Sequence, residues 1–180
     1  MRDWNVIVTI SPGPEHENRL LQGVRPFGEF HRSRFKDVVL GRVADTRVFL
    51  EALLHAKQSN AQWIAVLGRV IPAEQTFPFT PSSLAELVKA AVDAMVPRMT
   101  CGTFHVRLER RGLGGEIDTQ HIEREVADHV FDAALARNQR LRVSFEDPDY
   151  IVAVETVGDE CGVALLTREM LHRYSFVQTR

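Results

Sequence analysis

The order of strand-like and helix-like segments in the first 72 residues limits the possible folds of this chain more than any other sequence feature. Residues 4–10 are rich in β-branched side chains, which favour a strand, and a proline-containing turn separates them from a helical pattern at 16–24. Two strand patterns at 30–35 and 38–43 follow, then a helix that Asp45 or Thr46 can cap, then a strand pattern at 63–71. The predicted order is therefore β-α-β-β-α-β.

This order predicts a ferredoxin-like lobe, a sheet covered by helices on one face. Residues 72–81 contain three prolines, and we place a domain boundary there, between 1–72 and 73–180. Beyond it Ser83 and Glu86 have the spacing of a capping box at a helix start. The remaining patterns predict a strand at 103–111, a helix at 119–137 and strands at 141–145, 150–156 and 161–167. The fold class is therefore α+β.

Charge is distributed unevenly along the chain. The formal net charge of −2 argues against a protein that coats nucleic acid without specificity, since such proteins are usually strongly basic. Residues 1–111 nevertheless carry 15 basic and 11 acidic side chains, whereas 112–180 carry 7 and 13. One basic face can therefore still meet a phosphate backbone.

Cysteine and hydropathy patterns bear on the cellular compartment. The two cysteines, Cys101 and Cys161, are too few for a disulfide framework or a thiolate zinc site. No stretch approaches the roughly 20 apolar residues that span a bilayer, and residues 1–10 lack the pattern of a signal peptide. We expect a cytoplasmic protein with no membrane partner.

Three arginines gather at the end of the strand predicted at 103–111. Arg107 and Arg111 should project from one face together with His105, with Arg110 beside them. Phosphates can lie across such a face, but strand-end arginines also serve as salt-bridge partners or solvated ends. Glu109, on the same face, is the competing partner.

Catalytic and cofactor signatures are weak. His121, Glu125 and His129 lie four residues apart on one helix face and can converge on a metal, but they lack the His-Glu-x-x-His arrangement of zinc peptidases. The glycines at 112–115 fit neither the phosphate-binding loop nor the dinucleotide fingerprint, and Gly-x-Ser-x-Gly is absent. We expect no enzyme, no cofactor and no metal, with a metal-dependent enzyme as the least favoured alternative.

Three segments in the second half resemble the THUMP domain, an RNA-binding module of tRNA thiouridine synthases, tRNA and rRNA methyltransferases and the adaptor of tRNA cytidine acetylation. They are TFHVRLERR at 103–111, TQHIEREVA at 119–127 and VSFEDPDYIVAVE at 143–155. The RVIP sequence at 69–72, after a β-α-β-β-α-β lobe, also resembles the lobe junction in that adaptor. The resemblance implies an N-terminal ferredoxin-like lobe followed by a THUMP α/β domain with a mixed sheet.

The resemblance also implies a partner and a site. It implies binding to tRNA, at the acceptor end and elbow, and not to DNA. Since the second half is acidic and a few arginines give only weak phosphate binding, we expect a non-catalytic adaptor that presents tRNA to a separate base-modifying enzyme, such as a cytidine acetyltransferase. The alternative is a protein-interaction module that docks through the acidic helix at 119–137. The implied RNA-contacting residues are Arg69, Arg107, Arg110 and Arg111, together with Arg98, Arg142 and Lys89.

Overall fold

The computed structural model describes residues 3–180, which form two compact units. The first unit runs to Ala73 and also includes Arg173–Gln178, and the second comprises Glu74–His172 and Thr179–Arg180. The sequence boundary assigned all of 73–180 to the second domain, whereas the structure returns Arg173–Gln178 to the first unit. In the part of the chain that is described, no helix is both long and apolar enough to cross a bilayer.

The first unit has the predicted β-α-β-β-α-β order and is consistent with a ferredoxin-like fold. Its four strands pair in the order β2-β3-β1-β4, and every pair is antiparallel. Leu20 and Val24 of the first helix and Phe49, Leu50 and Leu53 of the second are buried, which gives each helix one apolar face. The elements are β1 (Val6–Ile10), α1 (His16–Val24), β2 (Gly28–Arg32), β3 (Val38–Val43), α2 (Thr46–Gln58) and β4 (Leu67–Pro72).

The strand predicted at 63–71 begins later than its apolar pattern suggested. Gln62–Val66 form a 3₁₀ turn, and β4 begins at Leu67. The turn lays the Trp63 ring against Gly23 of α1, where an added Cβ would come within 2.1 Å of that ring. The apolar side chain at position 63 is therefore explained by its packing against α1 and not by membership of the sheet.

The second unit is built around a five-stranded mixed sheet, as the resemblance implied. Its strand order is β5-β9-β8-β6-β7, with β6 parallel to both β7 and β8 and the other pairs antiparallel. The elements are β5 (Gln75–Pro78), α3 (Leu84–Asp93), β6 (Gly102–Glu109), α4 (Thr119–Ala136), β7 (Leu141–Val143), β8 (Tyr150–Val157), β9 (Glu160–Thr167) and α5 (Arg168–Arg173).

The core of this unit lies between the sheet and the helices α3 and α4. Phe104, Val106 and Leu108 of β6 are buried together, which confirms the predicted apolar face of that strand. The apolar stripe predicted on α4 is also buried, at Ile122, Val126 and Val130. Thus the strand and helix periodicities located the core correctly.

Three local predictions in the second unit were wrong or incomplete. The proline-containing segment that we treated as a boundary includes β5, whose Pro78 is tolerated because β5 is an edge strand. The helix α3 begins at Leu84, but Ser83 makes no capping bond to it, because its hydroxyl is hydrogen-bonded to Thr80 N and Thr80 O at 2.9 and 3.1 Å. The short helix α5 was not predicted.

Candidate nucleic-acid interface

Arg111 does not belong to an exposed basic surface. Only 10% of its side chain is exposed, and its Nη1 lies 2.5 Å from Oε2 of Glu155, which is itself 2% exposed. The backbone N–H of Arg111 donates to the carbonyl of Thr156, which holds the residue at the end of β8. The expectation of a solvent-facing Arg111 opposed by Glu109 is therefore wrong. A buried carboxylate on β8 neutralises Arg111, and Glu109 instead lies 3.6 Å from Arg180.

The other members of the strand-end group are only partly available. Arg107 has 41% of its side chain exposed, with its Nη1 3.9 Å from Oε1 of Glu123. Arg110 donates from Nη1 to the carbonyl of Gly112 at 2.6 Å. His105 is 8% exposed, so it does not share an exposed face with the arginines as predicted. Within residues 3–180 Arg110 forms no ion pair, and the nearest carboxylate oxygen to Arg107 is 3.9 Å away.

Two further predicted RNA ligands are engaged by carboxylates. Lys89 lies 2.5 Å from Glu125 and 2.9 Å from Glu86, and the hydrogen bond with Glu125 raises the pKa of Lys89. Arg98 lies 2.5 Å from Glu74. Any phosphate that contacted either cation would have to displace an existing ion pair.

Arg69 lies in the first unit, apart from the other six candidates. It occupies β4 and is half-buried, and its backbone N–H donates to Oγ1 of Thr9 at 2.8 Å. Arg69 and the other six candidates therefore belong to different units.

Of the helix residues considered as metal ligands, Glu125 and His129 each have a partner outside α4. Glu125 accepts a hydrogen bond from Lys89, which lowers the pKa of Glu125, and Nε2 of His129 lies 2.6 Å from Asp93. His121 lies 3.5 Å from the second oxygen of Glu125. Throughout residues 3–180 no group of three His, Cys, Asp or Glu side chains is arranged to hold a metal ion.

A different basic surface lies between the end of α4 and β7. Arg137, Arg140 and Arg142 are all exposed, and within residues 3–180 none of the three forms an ion pair. Arg140 and Arg142 are two residues apart, the spacing of side chains on one face of a strand, and both line one open cavity of about 870 Å³. We call these three residues the β7 arginine surface. Of the three, only Arg142 was predicted from the sequence. The spacing Arg-x-x-Arg-x-Arg could have indicated a basic surface, but the excess of acidic residues in 112–180 obscured this pattern.

An exposed aromatic ring follows β7. Phe145 has 76% of its surface exposed and borders a cavity of about 400 Å³, which is also lined by His105, Phe131 and Val143. The centroids of the Phe145 and His105 rings are 5.2 Å apart. Arginine side chains without ion pairs therefore lie close in sequence to an exposed aromatic ring, a combination typical of surfaces that bind single-stranded nucleic acid.

Several solved structures share this fold. PH1313 from Pyrococcus horikoshii Ot3 has a TM-score of 0.60 and 11% identity over 91% of this chain and 55% of its own. TrmN from Thermus thermophilus has a TM-score of 0.62 and 16% identity over 89% and 44%. A 4-thiouridine synthetase solved with RNA and ATP has a TM-score of 0.59 and 14% identity over 91% and 41%. The chain thus spans about half the length of these proteins or less.

A comparison with family descriptions identifies the second unit more closely. Among curated proteins, none matches this sequence. The THUMP domain, however, matches residues 81–166, which include α3, β6, α4, β7, β8 and most of β9. All three segments on which the resemblance was based lie within this range. The second unit therefore contains a THUMP domain, a module associated with RNA binding and tRNA modification.

Proposed function

We propose that this protein binds tRNA through the β7 arginine surface and presents it to a separate base-modifying enzyme. The observation that carries the proposal is the exposure of Arg137, Arg140 and Arg142 without ion pairs, on a THUMP domain. A guanidinium group presents several N–H donors in a fixed fork that suits phosphate oxygens. These three groups can contact phosphate without first releasing a carboxylate.

The distance to the nearest carboxylate also ranks the residues predicted from sequence. Arg142 remains a direct ligand, and Arg107 is a second contact because its nearest carboxylate oxygen is 3.9 Å away. Arg111, Lys89 and Arg98 act within the protein, since each has a carboxylate oxygen at 2.5 Å. RNA binding is therefore assigned to fewer and partly different residues from those named by the resemblance.

The adaptor role follows from how few cations are available. Each phosphate contact contributes about 0.7–0.9 to the slope of log affinity against log salt, so the three arginines of the β7 surface together with Arg107 give a slope of about −3 to −4 and weak binding at physiological salt. A catalytic partner that adds contacts of its own would supply the missing affinity. A cytidine acetyltransferase is one such enzyme, by resemblance, and a related fold has been solved with RNA in a 4-thiouridine synthetase.

The test is tRNA binding by Arg140→Glu/Arg142→Glu at low salt. Because both side chains are exposed, the variant should keep the wild-type melting temperature while its tRNA affinity falls about tenfold or more. The matched control is Arg19→Glu/Arg47→Glu, which changes net charge equally at exposed positions of the first unit. Equal losses in both variants would show a net-charge effect and remove the assignment to this surface.

A pull-down with and without ribonuclease tests the adaptor role. An adaptor should bring down both tRNA and a tRNA-modifying enzyme. Recovery of that enzyme should depend on bound tRNA and should fall after ribonuclease treatment. Partners recovered equally after ribonuclease, combined with no tRNA binding by the purified protein, would instead establish a protein-interaction module.

A further inference from the structure

The two edges of the sheet in the first unit differ. Beyond β4 the segment Arg173–Gln178 occupies the edge, where the N–H of Val70 donates to the carbonyl of Phe176 at 2.8 Å. At the other edge lies β2, and four of its five residues are exposed. Within residues 3–180 β2 pairs with β3 and with no other strand. The outer edge of β2 is therefore open.

One hydrogen bond at the end of β2 shows which backbone groups face this open edge. The N–H of Ser33 donates to the carbonyl of Val38 at 3.0 Å, so residue 33 directs its backbone groups towards β3. The direction alternates along an antiparallel strand, so Glu29 and His31 also direct theirs towards β3. The residues whose N–H and carbonyl groups point outwards are Gly28, Phe30 and Arg32.

The strand β2 lacks the features that usually keep an edge strand from pairing. Its register with β3 is continuous over all five residues, so no bulge twists the edge away, and it contains no proline or lysine. Its arginine, Arg32, forms an ion pair with Glu17 and a hydrogen bond with Asn18, both on α1. Glu17 therefore neutralises positive charge that would otherwise repel an incoming strand.

The backbone of β2 is complementary to itself when two copies pair about a two-fold axis at Phe30. Identical strands related by such an axis run antiparallel. Gly28 of each strand then meets Arg32 of the other, and Phe30 meets its own copy, which gives about six hydrogen bonds between the strands. Moving the axis to residue 29 or 31 leaves one outward-directed residue of each strand without a partner in β2. The backbone thus favours the axis at Phe30.

The exposed polar side chains of β2 favour the same register. Glu29 and His31 are exposed, and neither forms an ion pair within residues 3–180. With the axis at Phe30, Glu29 of each copy lies opposite His31 of the other, at a non-hydrogen-bonded pair, where cross-strand side chains are closest. An axis at residue 29 would instead set the two Glu29 carboxylates against each other. Because one strand supplies both members of each polar pair, a second copy of this chain fits the edge.

We propose that β2 pairs antiparallel with β2 of a second copy of this chain, so that the sheets of two first units join into one continuous antiparallel sheet. The proposal goes beyond the function proposed above and does not rest on it, because β2 and the β7 arginine surface belong to different units. A short pair of strands makes a small interface, so the dimer should form at micromolar concentrations and dissociate on dilution.

Sedimentation equilibrium of RNA-free protein tests the dimer and its register. The dimer fraction of the wild-type protein should rise with concentration. In His31→Glu a carboxylate lies opposite Glu29 at both symmetric positions, so the dissociation constant should rise about tenfold. The exchange variant Glu29→His/His31→Glu has the wild-type composition and restores both opposite pairs, so its dissociation constant should return close to the wild-type value.

A proline substitution tests the backbone hydrogen bonds. Arg32→Pro removes an N–H that points away from β3, so the existing sheet keeps its bonds while the dimer loses two. The dissociation constant should rise about tenfold or more. The matched control Arg32→Ala also removes the ion pair with Glu17 but keeps the N–H, and it should dimerise like the wild type. Wild-type melting temperatures would show that the variants are folded.

Two results would overturn the proposal. One is a wild-type protein that stays monomeric up to its highest soluble concentration. The other is a dimer with the same dissociation constant in the wild type, His31→Glu and Arg32→Pro, because such a dimer must use another surface. Neither result bears on tRNA binding, which Arg140→Glu/Arg142→Glu tests separately.

Discussion

At the scale of single residues, the nearest carboxylate decides what each arginine can do. Arg111 and Arg142 look equivalent in sequence, since both are cations at the end of a strand or within one. Glu155, however, lies 44 residues from Arg111 in the chain and meets it only because β6 and β8 are parallel neighbours. Strand periodicity identified the buried face of β6 correctly, but it carried no information about this partner. Electrostatic sites of this kind therefore cannot be predicted from local patterns.

The Arg111–Glu155 pair gives a prediction about stability. Arg111→Met removes the guanidinium group from a carboxylate that is 2% exposed, and loss of one partner of a buried ion pair costs about 3–5 kcal/mol. Urea unfolding should show this loss at neutral pH. The double variant Arg111→Met/Glu155→Met should recover most of it, because no charge remains buried.

The same variants test whether Arg111 contacts RNA. Below its unfolding transition, Arg111→Met should bind tRNA as well as the wild-type protein. A variant that is as stable as the wild type but binds tRNA more weakly would show that Arg111 contacts phosphate, and would restore the assignment that the resemblance implied.

At the scale of elements, the two helix starts that sequence singled out show how far local signals reach. Asp45 does cap α2, since its Oδ1 accepts from the N–H groups of Arg47 and Val48 at 2.8 and 3.1 Å. Ser83 occupies the corresponding position of α3, but its hydroxyl bonds to Thr80 instead. The type of residue therefore predicted where both helices begin, whereas the hydrogen bonds that each residue makes there depended on the preceding loop.

Asp45→Ala should destabilise the first unit by about 0.5–2 kcal/mol, because two N–H donors of the first helical turn lose their acceptor. Asp45→Asn keeps an acceptor oxygen and should lose much less. Both values can be measured by urea unfolding followed by tryptophan fluorescence, because Trp4 and Trp63 are the only tryptophans and both lie in the first unit. An unchanged midpoint in Asp45→Ala would show that solvent satisfies these donors equally well.

At the scale of the whole chain, the first unit is completed by residues that follow the second in sequence. The backbone N–H of Val70 donates to the carbonyl of Phe176 at 2.8 Å, and Tyr174, Phe176 and Val177 are buried. Periodicity located the helices and strands of both units but could not detect that Arg173–Gln178 pack in the first unit. This segment is short, and its contacts lie about 100 residues away in the chain. Glu51 and Arg173, for example, are 122 residues apart. A fragment ending at Ala73 would lack these contacts.

Glu51 of α2 anchors the returning segment and makes its stability depend on pH. Its carboxylate accepts from Nε and Nη2 of Arg173 at 2.6 and 2.9 Å and from the hydroxyl of Tyr174. The bond from Arg173, followed by that from Tyr174, lowers the pKa of Glu51 from 4.5 to about 2. The ionised carboxylate is thus favoured in the folded state, so its stabilising contribution is complete above pH 4.5 and is lost as pH falls towards 2.

Glu51→Gln should therefore be less stable than the wild-type protein at pH 7, and the difference should shrink as pH falls from 4.5 towards 2, because the wild-type carboxyl becomes protonated over that range. Tryptophan fluorescence during thermal unfolding reports on the first unit alone, since both tryptophans lie there.

Tyr174→Phe is the matched control: it keeps both bonds from Arg173 to Glu51 and should show the same pH trend with a smaller amplitude. A stability difference that stayed constant from pH 7 down to pH 2 would mean that Glu51 acts through packing alone. If instead the difference narrows in Glu51→Gln and follows the same trend in Tyr174→Phe, the charge of Glu51 holds Arg173–Gln178 in place, and the first unit depends electrostatically on the end of the chain.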